Sequence, residues 1–482
     1  MQFKGVEIRK LSETMWEIPR EGGMRVPGLI FASEAMMGDI LRDEAVRQVM
    51  NVGHLPGILK YSIGMPDIHW GYGFPIGGVA AMDAREGVVS PGGVGYDINC
   101  GVRLLRSDLT VDALRPKLRE LVAALHREVP SGVGSTGFVR LTAREEEKVL
   151  TEGSRWAASR GFASAEDVAF TESGGRLPGA DPDAVSAVAK KRGRNQLGTL
   201  GSGNHFLEID EVAEVFDDAA ARAFGLFPGQ ATVLIHSGSR GLGYQVCDDY
   251  LVTMADYMRK NRIDLPDRQL ACAHIHSPEG KQYLSALAAA GNYAFTNRQL
   301  LAHQARETFL RFLGMGPNDL GMRLVYDCGH NNAKFEEHEV DGEKRRVLVH
   351  RKGATRCFPA ESEDIPGAYR HVGQPVLIPG DMGNASYVLA GSPEAMRLSF
   401  GSTCHGAGRR MSRTQARNSV RGKSIVQEME RRGVIVASAS HKTLAEEIPE
   451  AYKDVSEVVG VVHDAGIASR VAKLRPVAVV KG

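Results

Sequence analysis

No stretch of this 482-residue chain approaches the roughly 20 consecutive apolar residues that a membrane-spanning helix needs, so no membrane partner is expected. The opening residues MQFKGVEIRK lack the apolar core of a secretory signal. The six cysteines (100, 247, 272, 328, 357 and 404) show no CxxC spacing and no dense framework. That argues against a disulfide scaffold and for reduced thiols or metal ligands, in a cytoplasmic, monomeric protein. Charge of one sign is lacking too. The formal net charge is +1, so no global positive field advertises a nucleic-acid partner. Only local basic runs remain: Lys190, Lys191, Arg192 and Arg194, then Arg409, Arg410, Arg413, Arg417, Arg421 and Lys423. Such runs are ordinarily solvated helix faces, and they permit RNA binding without requiring it. There is no fixed-period repeat, no low-complexity linker, and no dinucleotide or P-loop signature.

What is present is a globular composition, 43% hydrophobic and 24% charged, with 55 glycines gathered in short runs. Clustered glycine marks places where the backbone turns sharply or approaches a ligand closely. Apolar periodicity predicts helices over Ala35–Met50, Val111–Arg127 and Ala143–Trp156, and a long helix or broken pair from Lys281 to Leu313. Short strands are predicted at Val102–Arg106, Thr232–His236, Arg323–Asp327, Val347–Val349, Val376–Ile378 and Val434–Ala437. Helices and strands mix without a regular βαβ rhythm. The expected fold is α+β: one large catalytic domain over residues 1–482, central sheets flanked by helices, with helical insertions. The charged, Ser- and Gly-rich stretch 144–192 reads as a surface excursion from that domain.

Five short segments share one character, glycines flanking a potential metal ligand, often just after a strand. They are Pro91–Cys100, Gly201–Glu208, Ile235–Gly241, Tyr326–Asn332 and Ser402–Arg409. A strand that ends at a glycine turn holds its last side chain rigidly at a sheet edge. Singly each is weak, because a lone His is more often a hydrogen-bonded structural residue and a lone Cys is usually packing. Together, Asp97, Cys100, His205, His236 and His330 offer one carboxylate, one thiolate and three imidazoles. That mixture suits Zn2+ or Mn2+ rather than Ca2+ or Mg2+. Five donors exceed the needs of one tetrahedral ion, so a dinuclear site with a bridging thiolate is a natural reading. Spacing does not choose between zinc and manganese.

These segments resemble the signature motifs of the RtcB family of RNA ligases. The likeness extends through Met65–Gly73, His350–Arg356, Pro379–Tyr387 and Glu450–Asp454, in family order. The resemblance implies a GTP-dependent ligase that carries two Mn2+ ions on Asp97, Cys100, His205, His236 and His330. It would join RNA 2′,3′-cyclic phosphate or 3′-phosphate ends to 5′-hydroxyl ends in tRNA splicing or RNA repair. It puts the nucleophile that takes up GMP at His405, and guanylate recognition at Asn204, Glu208, Asn331, Ser386, Arg409, Tyr452 and Lys481. Without the resemblance, Lys481 reads as part of a frayed tail. An RNA path lined by some of Arg240, Lys352, Arg356, Arg413 and Arg417 is expected, touching phosphates rather than bases. An archease-like activator is a further expected partner. Four residues separate His405 from Arg409, which on a helix would put both on one face. Two residues stand apart from the expected pattern. Asp381 occupies a place where Ser is expected, and a carboxylate there would repel phosphates unless turned away; Cys404 precedes the nucleophile. The rival readings are a dinuclear metallophosphoesterase that never ligates, and an RNA-binding protein whose cluster is a structural zinc site. The compact Cys-rich spacing of structural zinc is missing.

Overall fold

The computed structural model describes residues 1–422 and 424–482; Lys423 lies outside the described residues. Two large sheets build the frame. The first runs in the order Arg323–Gly329, Gly101–Thr110, Gln230–Ser237, Phe206–Val215, Ala468–Lys481, Ser386–Gly391, Pro375–Ile378, with Ile435–Ser438 added alongside Ala468–Lys481. Its pairings are antiparallel except that last one, which is parallel. The second orders Asn331–Val340, Glu343–Lys352, Ile76–Asp83, Ile58–His69, Gly28–Phe31, Met15–Ile18 and Arg9–Lys10. The chain passes from the first sheet to the second at His330, between Gly329 and Asn331. A short ribbon pairs Ala354–Arg356 with Ser402–Cys404. The mixed architecture is the expected α+β class, and each predicted strand falls within an observed one, give or take a residue at Val434.

The longest helix, Pro278–Leu313, is unbroken over 36 residues. Ser277 caps its start through Gly280 N–H, Pro278 occupies its first turn, and Gly314 ends it in the left-handed conformation. The other predicted helices are each broken. Ala35–Met50 divides into Glu34–Ile40 and Ala45–Val52, because the Asp43 carboxylate accepts Ala45 N–H (2.9 Å) and turns the chain. Val111–Arg127 is split by a tight turn at Pro116. Ala143–Trp156 is split at Gly153, whose φ of 58° is not helical.

The 144–192 stretch is not a surface excursion. Val149, Leu150, Trp156 and Ala157 are buried in a core shared with the Arg240–Asn261 and Pro278–Leu313 helices. Asn292 pins the stretch to the long helix: its Oδ1 accepts Leu177 N–H (2.7 Å), and its Nδ2 donates to the carbonyls of Leu150 and Leu177. A Cβ on Gly291 would come within 2.4 Å of Leu177 Cδ1, so a larger residue would make the Leu177 side chain shift. Part of its polarity faces inward: Glu146, Asp167 and Glu172 are buried. Asp167 takes both terminal nitrogens of Arg306 (2.6 and 2.7 Å), and Glu172 pairs with Lys334 at 2.7 Å.

Candidate active site

Strand register brings the metal-type donors together. Gly101 pairs with both Ser237 and Gly329, and Phe206 pairs with both His236 and Lys481. Cys100, His205, His236, His330 and Lys481 therefore meet at one edge of the first sheet, although 381 residues of sequence separate the outermost two (481 − 100). His330 N–H donates to the Cys100 carbonyl at 2.8 Å, locking two of these loops together.

The donors form two triads that share one thiol: Asp97, Cys100 and His205, and Cys100, His236 and His330, with the donor atoms of each within 4.8 Å of one another. Cys100 Sγ lies 3.4 Å from His205 Nε2 and 3.3 Å from His236 Nε2, and His236 Nε2 lies 3.3 Å from His330 Nε2. Burial holds the His236 and His330 imidazoles well below their usual range, with neighbouring imidazoles adding to the effect. Burial pushes the Cys100 thiol up, and Asp97 beside it adds to that. Burial is the largest effect on the Asp97 carboxylate and acts to raise it, but the His205 hydrogen bond (2.9 Å) and charge, with Arg240 and Cys100, together outweigh it and bring Asp97 down to about 2. Buried lone pairs and a thiol turned on one another, rather than on hydrogen-bond donors, form the environment a transition-metal cation fits. Asp97 is aimed by Ser239, whose N–H and Oγ reach its Oδ1 at 2.8 and 3.2 Å. Beneath the cluster, Arg298 donates to the Asn99 and Ser237 carbonyls (2.7 and 3.0 Å) while gripping Asp327.

His405 stands next to the cluster. Its ring centroid is 4.9 Å from that of His330, in an edge-on contact. Asp67, fully buried, was not singled out from the sequence, yet its Oδ2 contacts His405 Nδ1 at 2.6 Å and accepts His405 N–H at 3.0 Å. The pairing fixes Nδ1 as the protonated nitrogen and leaves Nε2 as the ring's lone-pair nitrogen. Only the membership of Asp67 in the Met65–Gly73 segment hinted at this. Residues 405–409 are not helical but form a glycine loop after Ser402–Cys404. Gly408 adopts φ +72°, and a Cβ there would strike the Asp67 carbonyl at 2.3 Å. Cys404 is buried packing, and burial pushes its thiol well up.

Both groups open into a cavity of about 500 Å3. Asn204, Glu208, Asn331, Arg409, Tyr452 and Lys481 line it. Ser386 lies behind the wall, where its Oγ accepts Gly380 N–H at 3.1 Å. Asn331 is already committed, Nδ2 to the Asp97 carbonyl and Oδ1 to Gly353 N–H. Arg409 is held by Glu447 Oε1 (3.2 Å), the Glu446 carbonyl (2.7 Å) and the Met411 carbonyl (3.1 Å), and its guanidinium covers the Tyr452 ring. Tyr452 OH donates to Glu447 in turn. Lys481 is no frayed tail: it is a strand residue between Phe206 and Ser438 and is buried. Burial lowers its ammonium pKa against the pull of Glu447 and Glu208, and burial together with Asp210 raises Glu208. Asp381 is turned into its own loop. Its Oδ1 accepts Gly383 and Asn384 N–H (2.9 and 3.1 Å), its Oδ2 accepts Asn384 Nδ2 (2.7 Å), and burial raises its pKa. It nonetheless lines the cavity, and its charge is felt at Glu208 and Lys481.

The basic residues divide. Arg413 and Lys352 line the cavity, Lys352 with its amino group on the Tyr72 and Phe74 carbonyls and its pKa lowered to about 7 by burial. Arg240 begins the Arg240–Asn261 helix beside Asp97, its Nε on Thr199 Oγ1 at 3.2 Å. Arg356 does not lie on an RNA path. It is buried and satisfied by Gln374, Tyr326 OH and the Asp364 carbonyl, with Glu172 at 3.4 Å. Arg417 stands outside the lining and pairs with Glu446 at 2.8 Å.

A family model described as tRNA-splicing ligase RtcB matches residues 48–482. The chain belongs to the RtcB family. Among its relatives, the tRNA-splicing ligase RtcB of Thermococcus kodakarensis is 54% identical over 478 residues, 99% of each chain. That of Archaeoglobus fulgidus is 53% identical over 484 residues, all of both chains, and that of Aeropyrum pernix 51% identical over 478 residues, 98% of this chain and 99% of its own. RtcB membership therefore covers every element that contributes to the two triads, His405 and the cavity. No helix of the described residues is long and apolar enough to cross a membrane.

Proposed function

We propose that the protein is a GTP- and Mn2+-dependent RNA ligase acting in tRNA splicing or RNA repair. It joins a 2′,3′-cyclic phosphate or 3′-phosphate RNA end to a 5′-hydroxyl end, through GMP on His405 and then a 3′-guanylylated RNA. The observation that carries the reading is the contact between Asp67 and His405 Nδ1, 2.6 Å, beside a metal-type cluster of which His405 is not part. In the neutral ring it puts the proton on Nδ1 and leaves the Nε2 lone pair for attack on phosphorus.

Nε2 attacks the α-phosphorus of GTP, an N–P bond forms, and the bond to the bridging oxygen breaks to release pyrophosphate. Asp67 balances the positive charge that develops on the ring, the role an aspartate plays behind any catalytic imidazole. Asp97, Cys100, His205, His236 and His330 would hold two Mn2+ ions, with Cys100 shared. When bound, Mn2+ supplies charge neutralisation for phosphate oxygens and lowers the pKa of water or hydroxyl. Glu208 and Lys481, an acceptor and a donor side by side, suit the edge of guanine, with Tyr452 and Arg409 closing the wall. After water opens the cyclic phosphate, a 3′-phosphate oxygen attacks the GMP phosphorus and the N–P bond breaks, restoring His405. The 5′-hydroxyl then attacks the 3′-phosphorus and GMP leaves. Arg240 and Arg413 are the basic groups best placed to meet RNA phosphates, Lys352 being committed to the Tyr72 and Phe74 carbonyls.

Incubation with GTP labelled at the α-phosphate plus Mn2+, followed by denaturing electrophoresis, tests the reading. An acid-labile label on wild type that is absent from His405→Ala is expected. No label at any Mn2+ concentration would sink the guanylylation step and favour a phosphoesterase that never ligates.

A further inference from the structure

Three tyrosines step out of the catalytic cavity, and nothing in the reaction so far uses them. Tyr72, Tyr96 and Tyr244 all line it. Tyr72 and Tyr96 meet edge to face with centroids 5.6 Å apart, and Tyr96 stacks on Tyr244 at 4.7 Å with planes 24° apart. The outermost ring, Tyr244, is 47% exposed. Among the described residues none hydrogen-bonds their hydroxyls, whereas Tyr250, Tyr293 and Tyr369 each donate to a carbonyl.

The chain beneath the ladder is anchored. Lys352 Nζ holds the Tyr72 carbonyl, and Gly73 N–H donates to Gln269 Oε1 at 2.9 Å. Tyr96 immediately precedes Asp97 of the first triad. Tyr244 sits in the first turns of the Arg240–Asn261 helix. Against that helix packs the basic helix Ala187–Gly193: Gly193 abuts Leu242, and Gly241 abuts Arg192. Lys191 and Arg192 are exposed there and form no ion pair among the described residues. A strand leaving the cavity over Tyr244 would thus have an aromatic face for a base, with a basic helix packed against the helix that carries the ring.

We propose that Tyr244, backed by Tyr96 and Tyr72, is a stacking platform for an unpaired nucleobase near the RNA end held in the cavity. The inference rests on the ligase reading for its premise that RNA ends enter there. Stacking tolerates any base, so the site confers a preference for unpaired ends rather than for sequence.

The test is a binding cycle by fluorescence anisotropy at fixed salt. Short single-stranded RNAs ending in a 5′-hydroxyl or in a 3′-phosphate carry an abasic residue at successive positions from that end. They are titrated into wild type, Tyr244→Ala, Tyr244→Leu and Tyr244→Phe. Tyr244→Ala and Tyr244→Leu are expected to bind about 5- to 30-fold more weakly, the lower part of the range for base–aromatic stacking because the ring is half exposed. Tyr244→Phe keeps wild-type affinity. At one position of one strand, removing the base should weaken wild type by the same factor and leave Tyr244→Ala unchanged, and the strand that shows this identifies the bound end. A base-removal penalty undiminished in Tyr244→Ala and Tyr244→Leu at every position of both strands overturns the proposal, as does Tyr244→Phe binding as weakly as Tyr244→Ala. GMP labelling of wild type separates the two readings. Label without coupling sinks the platform alone, and coupling without label sinks the ligase reading alone.

Discussion

Asp67 provides the sharpest test of the site. Replacing it with alanine removes the contact to His405 Nδ1 at 2.6 Å and the acceptor for His405 N–H at 3.0 Å. A hydrogen bond to a charged group contributes about 1.5–3 kcal/mol, or roughly one to two decades at 1.4 kcal/mol per decade. That sum covers orientation only. The ring is also released to its other tautomer, which puts a proton on Nε2 and removes the attacking lone pair. An aspartate behind a catalytic imidazole is worth up to about 10^4 in rate where both effects act. The expected loss is therefore about 10^2- to 10^4-fold in the single-turnover rate of GMP transfer to His405, measured with α-labelled GTP at saturating GTP and Mn2+. Asp67→Asn should lose comparably, because the amide no longer balances the ring charge and can donate N–H to Nδ1, favouring the wrong tautomer. Mn2+ stoichiometry should stay at the wild-type value in both, because Asp67 belongs to neither triad. An Asp67→Ala protein that labels within threefold of the wild-type rate would refute the tautomer argument.

Further outcomes follow from single contacts. Gly238→Ala would put a Cβ 2.3 Å from both carboxylate oxygens of Asp97, so Mn2+ titration should lose the ion proposed for the Asp97, Cys100 and His205 triad while the other triad still binds. Lys481→Ala removes the cation facing Glu208 and Glu447 and should weaken GTP about 10- to 100-fold, the equivalent of one charged hydrogen bond, in equilibrium dialysis; unchanged affinity would remove Lys481 from guanylate recognition. Acid stability should depend on Glu336, which burial would raise but the paired Arg351 and His338 bring down to about 2 from 4.5. A carboxylate with a depressed folded pKa stabilises above its unfolded pKa and loses that contribution as pH falls toward 2, about 3 kcal/mol in all. Glu336→Gln should accordingly be less stable than wild type by about that amount at pH 7 and nearly equal to it near pH 2 in urea unfolding; the same gap at both pH values would contradict the linkage.

The residues legible from sequence are those whose local chain already shapes the site. Cys100, His205, His236 and His330 each sit at a glycine turn beside a strand end, and antiparallel register then has little choice but to bring those ends to one edge. The residues that were not legible are those whose meaning lies in a distant partner. Asp67 is 338 residues from His405, and no spacing rule connects them. The inward-facing acids of 144–192 look like solvated charge until Arg306 and Lys334 are seen opposite them. Arg356 carries the right charge for RNA, yet Glu172, itself in that stretch, takes it into the interior. Helix breaks at Pro116 and Gly153 were present in the letters, but apolar periodicity runs through such positions without registering them. One physical rule covers these cases. A polar side chain is read correctly from sequence when its own turn aims it, and misread when a buried counter-charge does. The first sheet and the 144–192 stretch meet at Asp327, where Arg298 and Arg103 converge while Arg298 also holds the Asn99 and Ser237 carbonyls under the metal-type donors. Removing one partner from a fully buried ion network strands the others, at about 3–5 kcal/mol. The part of the fold least visible in the sequence is thus the part that keeps the visible ligands in place.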